Sequence, residues 1–300
     1  MIRIKLASVA LALVLGSLAV ASAPQAAPAT AVPAAKAPAA KAVAPRPFAP
    51  TRFSVEVTGS GPDVILIPGL TASREVWRGT VAAVPGYRYH LVEVAGFAGT
   101  PARGNAQGDV VAPLAAEIAR YIEAKGLQRP ALVGHSMGGT VAMMVAARSP
   151  TRAGKVMVVD MLPQPAGILG SSAAQARGLA DALRDVTATP GGRRLVESAI
   201  RMFGNPEPAE RSSDPDVVAR ATRELAVTDL TGELPRIASP LTVLYAAPDA
   251  RTRASADRTY AEGYQAKPGT RLVRIDGSGH MIMYDQPARF RDALKSFLEG

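Results

Sequence analysis

Ala131-Leu-Val-Gly-His-Ser-Met-Gly-Gly139 is an apolar run broken at Gly134-His-Ser136-Met-Gly138, and the helical pattern Thr140-Val-Ala-Met-Met-Val-Ala-Ala147 follows it. The order is strand, sharp turn, helix. A serine at the tip of such a turn sits in a strained backbone, and Gly134 and Gly138 flank it because a Cβ there would collide with the neighbouring strand and helix. The turn lifts the Ser136 hydroxyl clear of the sheet. A helix starting at Ser136 aims its free N–H groups and its positive dipole end at whatever the hydroxyl attacks, which suits an anionic tetrahedral intermediate.

Outward from this turn, the chain divides by composition. Met1-Ile-Arg3-Ile-Lys5 is a short basic start, Leu6 to Val20 is apolar, and Ala21-Ser-Ala23 places small residues at cleavage positions, so residues 1–23 read as a secretory signal peptide. The apolar run is short for a bilayer span, and no stable membrane insertion is expected after cleavage. Residues 24–50 are almost wholly Ala and Pro with Lys36, Lys41 and Arg46, a composition that buries no core and reads as a disordered, semi-rigid linker. The chain has no cysteine, hence neither a disulfide nor a lipid-modified cysteine. Arg3, Lys5, Lys36, Lys41 and Arg46 carry five of the +9 formal charge, leaving +4 on residues 51–300. The remaining basic residues are scattered without interleaved aromatics, so a nucleic-acid role has little support.

The sequence from residue 51 alternates strands and helices. Arg52 to Val57 alternates as an amphipathic strand, and Val64-Ile-Leu-Ile67 is a buried strand ending at Pro68-Gly69-Leu70. Thr71 to Val84 is a short helical pattern with Trp77 in the core, Tyr87 to Val94 a strand, Asp109 to Lys125 an amphipathic helix closed by Gly126. Lys155 to Val159 is a strand ending in Asp160. Residues 161–236 contain only helical pieces, near Ser172 to Val186, Gly192 to Phe203 and Asp214 to Thr228, and read as a helical cap whose Met161, Leu162, Ile168, Leu169, Met202 and Phe203 are offered to an apolar pocket or to core. Strands return at Leu241 to Tyr245 and Arg271 to Ile275, and Pro287 to Leu298 is the last helix. This alternation implies an α/β fold, a mostly parallel central sheet flanked by helices, with sites at the carboxyl ends of its strands.

Ser136, Asp160, Asp249 and His280 all fall at such ends. A serine hydroxyl needs a base, and histidine is the side chain that titrates near neutrality. Of three histidines, His90 lies in a strand body, and His135 adjoins the serine and is expected to point away from it. His280, in the loop Gly277-Ser-Gly-His280, is therefore the chosen base. Its imidazole needs a carboxylate to fix the tautomer. Asp249, ending the preceding strand, is preferred, with Asp160 as its rival. Asp276 reads as a turn residue and Asp285 as the cap of the last helix. The N–H groups of Leu70 and Met137 are candidate oxyanion donors.

With these residues in view, residues 51–300 resemble the α/β-hydrolase superfamily in its capped, single-domain serine hydrolase branch. The resemblance rests on Pro68-Gly69-Leu70, Gly96-Phe-Ala-Gly-Thr100, Gly134-His-Ser-Met-Gly138, Ala246-Ala-Pro-Asp249 and Gly279-His280, in the family's order of nucleophile, acid and base. It departs where Pro68 replaces a histidine common before the oxyanion glycine, and where Ala246 replaces glycine on the approach to the acid. The resemblance implies a serine hydrolase cleaving a small-molecule carboxylic ester; the leader adds the expectation of a periplasmic or secreted protein, the cap that of an apolar acyl group, and the three histidines and absent cysteines that of no metal or cofactor. The same triad also serves amidases, peptidases and carbon–carbon bond hydrolases, and a non-catalytic ligand-binding protein on the same scaffold is the alternative from another class.

Overall fold

The computed structural model describes residues 48–169, 182, 185–204 and 212–300. The expected signal peptide, and the linker as far as residue 47, lie outside the described residues, as does most of the helical stretch expected at 172–186. The elements are β1 (Phe53–Gly59), β2 (Asp63–Ile67), α1 (Arg78–Ala83), β3 (Arg88–Val94), α2 (Val111–Ala124), β4 (Ala131–His135), α3 (Met137–Arg148), β5 (Lys155–Val159), α4 (Pro190–Gly204), α5 (Pro215–Val227), β6 (Leu241–Ala247), α6 (Arg253–Tyr264), β7 (Arg271–Asp276), α7 (Ile282–Asp285) and α8 (Pro287–Glu299).

The seven strands form one sheet in the order β1-β3-β2-β4-β5-β6-β7. Only β1 runs antiparallel, against β3; every other pairing is parallel. The carboxyl ends of β2 to β7 therefore share one edge. The two faces are both covered, which is why the central strands read as unbroken apolar runs. Ile65, Ile67, Leu132, Val156 and Val158 face α2 and α3, while Val64, Leu66, Val133, Met157 and Val159 face Trp77 and the α8 residues Phe290 and Leu294. Successive side chains thus alternate between two cores.

The segment between β5 and β6 holds, among the described residues, helices and short 3₁₀ turns but no strand. Its α5 docks on the loop after β3. Asp214 N–H donates to Gly96 O at 2.7 Å, Gly99 N–H to Ser212 O at 3.1 Å and Ala98 N–H to the Ser213 hydroxyl at 3.1 Å. A Cβ at Gly96, whose φ is +92°, would lie 2.7 Å from a Val217 methyl. The glycine-rich loop is therefore a seat for the inserted helix. From the same helix Glu224 reaches the start of α2 and accepts from the N–H groups of Val110, Val111 and Ala112 at 2.7–2.8 Å. A carboxylate from a distant part of the chain fills the capping role that the sequence assigned to nothing in particular. Met161 and Leu162 are core residues. The side chains of Ile168, Leu169, Met202 and Phe203, expected to serve pocket or core, lie outside those described.

Three local expectations change. The stretch 71–84 is a 3₁₀ turn at Arg74–Trp77 followed by α1 rather than one helix. Asp276 ends β7, ion-paired with Arg274 and Arg253. Asp285 does not cap α8, whose N-cap is Gln286; its carboxylate instead accepts from Gly279 N–H at 2.8 Å.

Candidate active site

The turn after β4 has the strained geometry its glycines anticipate. Ser136 has φ 53° and ψ −124°, a conformation costly for any residue with a Cβ, on the order of 1–3 kcal/mol. Its surroundings hold it there. A Cβ on Gly134 would fall 2.0 Å from Gly138 O, and one on Gly138 2.2 Å from Ile67 O, so only hydrogen fits at either place. Ser136 N–H donates to Val159 O at 2.9 Å across to β5, and Ser136 O accepts from Gly139 and Thr140 N–H groups. The serine is the N-cap of α3, which begins at Met137 rather than at the serine itself.

Pro68-Gly69-Leu70 leaves β2 beside this turn. A Cβ on Gly69 would lie 3.2 Å from the Ser136 Cβ and 2.9 Å from the His135 Nδ1, so a side chain here would crowd the serine. Neither Leu70 N–H nor Met137 N–H makes a hydrogen bond among the described residues. Both remain available to an incoming oxygen, Met137 N–H at the positive end of α3. The Ser136 hydroxyl likewise makes no hydrogen bond there.

His280 follows β7 and its Nδ1 lies 2.7 Å from Asp160 Oδ2. Asp160, at the end of β5 with φ +50°, is 7 % exposed. Its other oxygen, Oδ1, accepts from Ala246 N–H and from the Tyr260 hydroxyl, each at 2.9 Å. Burial is the largest influence on this carboxyl and acts to raise its pKa, but the hydrogen bond and charge of His280, with the Ala246 and Tyr260 donors, together hold it below the ordinary value. Asp160 is therefore an anion whose partner is the His280 Nδ1–H, which leaves Nε2 as the free basic nitrogen.

Asp249, preferred on sequence grounds, is not the partner of His280. It is exposed, and its Oδ1 accepts from Arg251 and Thr252 N–H at 2.8 and 3.0 Å, closing the turn that precedes α6. An aspartate two residues past a strand end has its carboxylate captured by its own turn; Asp160, next to the strand, is thrown inward by its left-handed backbone.

His135 also packs beside His280. Expected only to point away from Ser136, it has its ring 4.7 Å from that of His280, and its Nε2–H donates to His280 O at 2.9 Å. Burial first, and the neighbouring His280 second, push its pKa down to about 3, so the ring is neutral. The signal was present in the sequence as a histidine inside a buried strand end, but not its direction. His90 is core, bonded to Tyr121 and Asp63. Among the described residues no three His, Cys, Asp or Glu side chains gather to hold a metal ion.

Comparison with known proteins places this geometry. Over 111 residues the chain is 35% identical to a pimeloyl-[acyl-carrier protein] methyl ester esterase of Aeromonas hydrophila, a match spanning 37% of this chain and 42% of that protein. It is 27% identical over 256 residues to an N-formylmaleamate deformylase of Pseudomonas putida, covering 80% of this chain and 90% of the relative. The solved structure of a thermophilic esterase from Thermogutta terrifontis superposes with a TM-score of 0.64 at 24% identity, over 82% of this chain and 93% of that one. The family model described as the alpha/beta hydrolase family matches residues 64–293, and with its sheet order, strained serine turn and Asp160–His280 pair the chain belongs to that family.

Proposed function

We propose that this protein is a serine hydrolase that cleaves small-molecule carboxylic esters with Ser136 as nucleophile, His280 as base and Asp160 as the acid that orients it. The 2.7 Å contact between His280 Nδ1 and Asp160 Oδ2, beside a strained, unbonded serine, carries the reading. His280 Nε2 takes the Ser136 proton as the hydroxyl attacks the ester carbonyl, and the anionic Asp160 steadies the imidazolium. The Leu70 and Met137 N–H groups receive the oxyanion. The tetrahedral intermediate collapses, His280 returns its proton to the leaving alcohol, and water repeats the sequence on the acyl-enzyme. The esterase names of two relatives support the ester reading. The deformylase name of the relative matched over most of its length favours a second reading, in which the same residues cleave an amide.

We further infer an apolar acyl group, from the apolar lining expected of the segment after Asp160, and export to the periplasm or beyond, from the basic, apolar and small-residue order of residues 1–23. A fluorophosphonate probe with adduct mapping tests the nucleophile, and matched p-nitrophenyl esters and anilides of increasing acyl length test the bond cleaved. The expected result is labelling at Ser136, faster turnover of esters, and loss of both in Ser136→Ala. Full activity in Ser136→Ala overturns the mechanism. Ligand-induced thermal stabilisation with neither labelling nor turnover replaces it with a binding role.

A further inference from the structure

Asp160 presents two oxygens, and only one of them serves His280. The other is held by a backbone N–H, which substitution cannot remove, and by the hydroxyl of Tyr260. Tyr260 comes from α6, the helix that follows the turn in which Asp249 is sequestered. The tyrosine is buried, and Asp160 is the hydrogen-bond partner of its hydroxyl. A phenylalanine would fill the same core volume, so the hydroxyl is the feature that packing alone does not require. Its ring is stacked on Tyr245 with centroids 4.5 Å apart and planes 20° from parallel. Tyr245 in turn bonds Asp257 at 2.7 Å, and Asp257 is paired with Arg274 at the surface. One turn further along α6, Tyr264 donates to Met161 O at 2.7 Å and pins the residue after the acid.

We propose that Tyr260 is a positioning residue for the acid of the triad: by donating to Asp160 Oδ1 beside Ala246 N–H, it stops the carboxylate from rotating and keeps Oδ2 aimed at His280 Nδ1. The assignment rests on the catalytic reading of Asp160 and His280 given above. It has an electrostatic consequence as well as a geometric one. A hydrogen bond to Oδ1 draws charge from the carboxylate, so Asp160 is less basic and stabilises the His280 imidazolium less than a bare carboxylate does. Removing the hydroxyl raises the Asp160 pKa and frees the carboxylate to rotate away from His280 Nδ1. The titratable groups that face this carboxylate are His280 from the loop after β7, the neutral His135 from β4, and Tyr260 and Tyr264 from α6. The last two remain phenols, because burial raises both well above the ordinary tyrosine value.

The test is NMR of the full chain with ¹³C,¹⁵N-labelled histidine, which reads the His280 Nδ1–H resonance, and with it the hydrogen bond to Asp160, without any substrate. Tyr260→Phe is expected to move that resonance away from its wild-type position, because Oδ2 is no longer held on Nδ1. Tyr245→Phe, which keeps the stacked ring and loses only the surface bond, is expected to leave it in place. Should Tyr260→Phe fold poorly, 3-fluorotyrosine inserted at position 260 keeps the ring and makes the hydroxyl a stronger donor, and the Nδ1–H resonance is again expected to move. An unchanged Nδ1–H resonance in a folded Tyr260→Phe or fluorotyrosine protein overturns the inference. Kinetics separate the two readings. If the hydrolase reading holds, kcat in Tyr260→Phe falls about tenfold with KM within twofold. A shifted resonance in a protein with no turnover keeps Tyr260 and removes the hydrolase reading; turnover with an unmoved resonance does the reverse.

Discussion

The ends of β5 and β6 both offer an aspartate to the loop that carries His280, and the chain treats them oppositely. Asp160 follows the last residue of β5, adopts a left-handed backbone, and has its carboxylate buried against Ala246, Tyr260 and His280. Asp249 stands two residues past β6, exposed, with its carboxylate turned back on Arg251 and Thr252. Lying at the right edge of the sheet is thus a weak qualification for an acid. Depth is the stronger one, because a carboxylate out of water interacts with an imidazole through a lower dielectric, and fixed donors orient it.

The largest way to break this contrast is the same isosteric change at the buried end. Asp160→Asn keeps the shape but removes the charge and permits the wrong histidine tautomer. We expect kcat to fall about 10³–10⁴-fold, measured on the ester that the wild type turns over fastest. A loss smaller than tenfold would remove Asp160 from the reaction.

The sequence carried most of the fold because its strands are unusually plain. Val64 to Ile67, Lys155 to Val159 and Leu241 to Tyr245 are short apolar runs bounded by turn residues, and the parallel sheet follows from the helices between them. The serine turn was equally legible, since the glycines at 134 and 138 are sterically obligatory. What the sequence could not supply was direction. Whether Asp160 or Asp249 meets His280 depends on one backbone dihedral and on a tyrosine a hundred residues away, and neither leaves a periodic trace. Likewise Glu224 caps α2 from within the inserted segment, a contact that no local spacing announces.

His135 sharpens the comparison by showing the cost of burying a titratable group without a carboxylate. Its pKa in the fold is lowered to about 3, against an ordinary value of 6.5. Between those values the unfolded chain binds a proton that the folded chain does not. Stability is therefore full above about pH 6.5 and falls as the pH drops towards 3, by several kcal/mol at most. Asp160, whose pKa is also lowered, adds a loss only further down, as the pH falls below the ordinary 3.8. His135→Gln keeps a donor for His280 O but does not titrate. We expect its urea-denaturation free energy to decline less steeply from pH 6.5 to 5 than that of the wild type, the remaining slope coming from His90, whose pKa burial also lowers; parallel slopes would show that His135 is protonated in the fold.

The smallest effect is expected at the exposed end. Asp249→Asn retains an oxygen for the Arg251 and Thr252 N–H groups, so the turn before α6 survives and stability changes by less than about 0.5 kcal/mol. Turnover stays within twofold of wild type, and adding Asp249→Asn to Asp160→Asn lowers kcat no further. The double substitution is the more searching measurement. If a carboxylate at 249 could swing to His280 once Asp160 was neutral, the residual activity of Asp160→Asn would depend on it and would vanish in the pair. Additivity at the level of Asp160→Asn alone means that the turn holds Asp249 too firmly to be recruited, and that the two strand ends differ in kind rather than in degree.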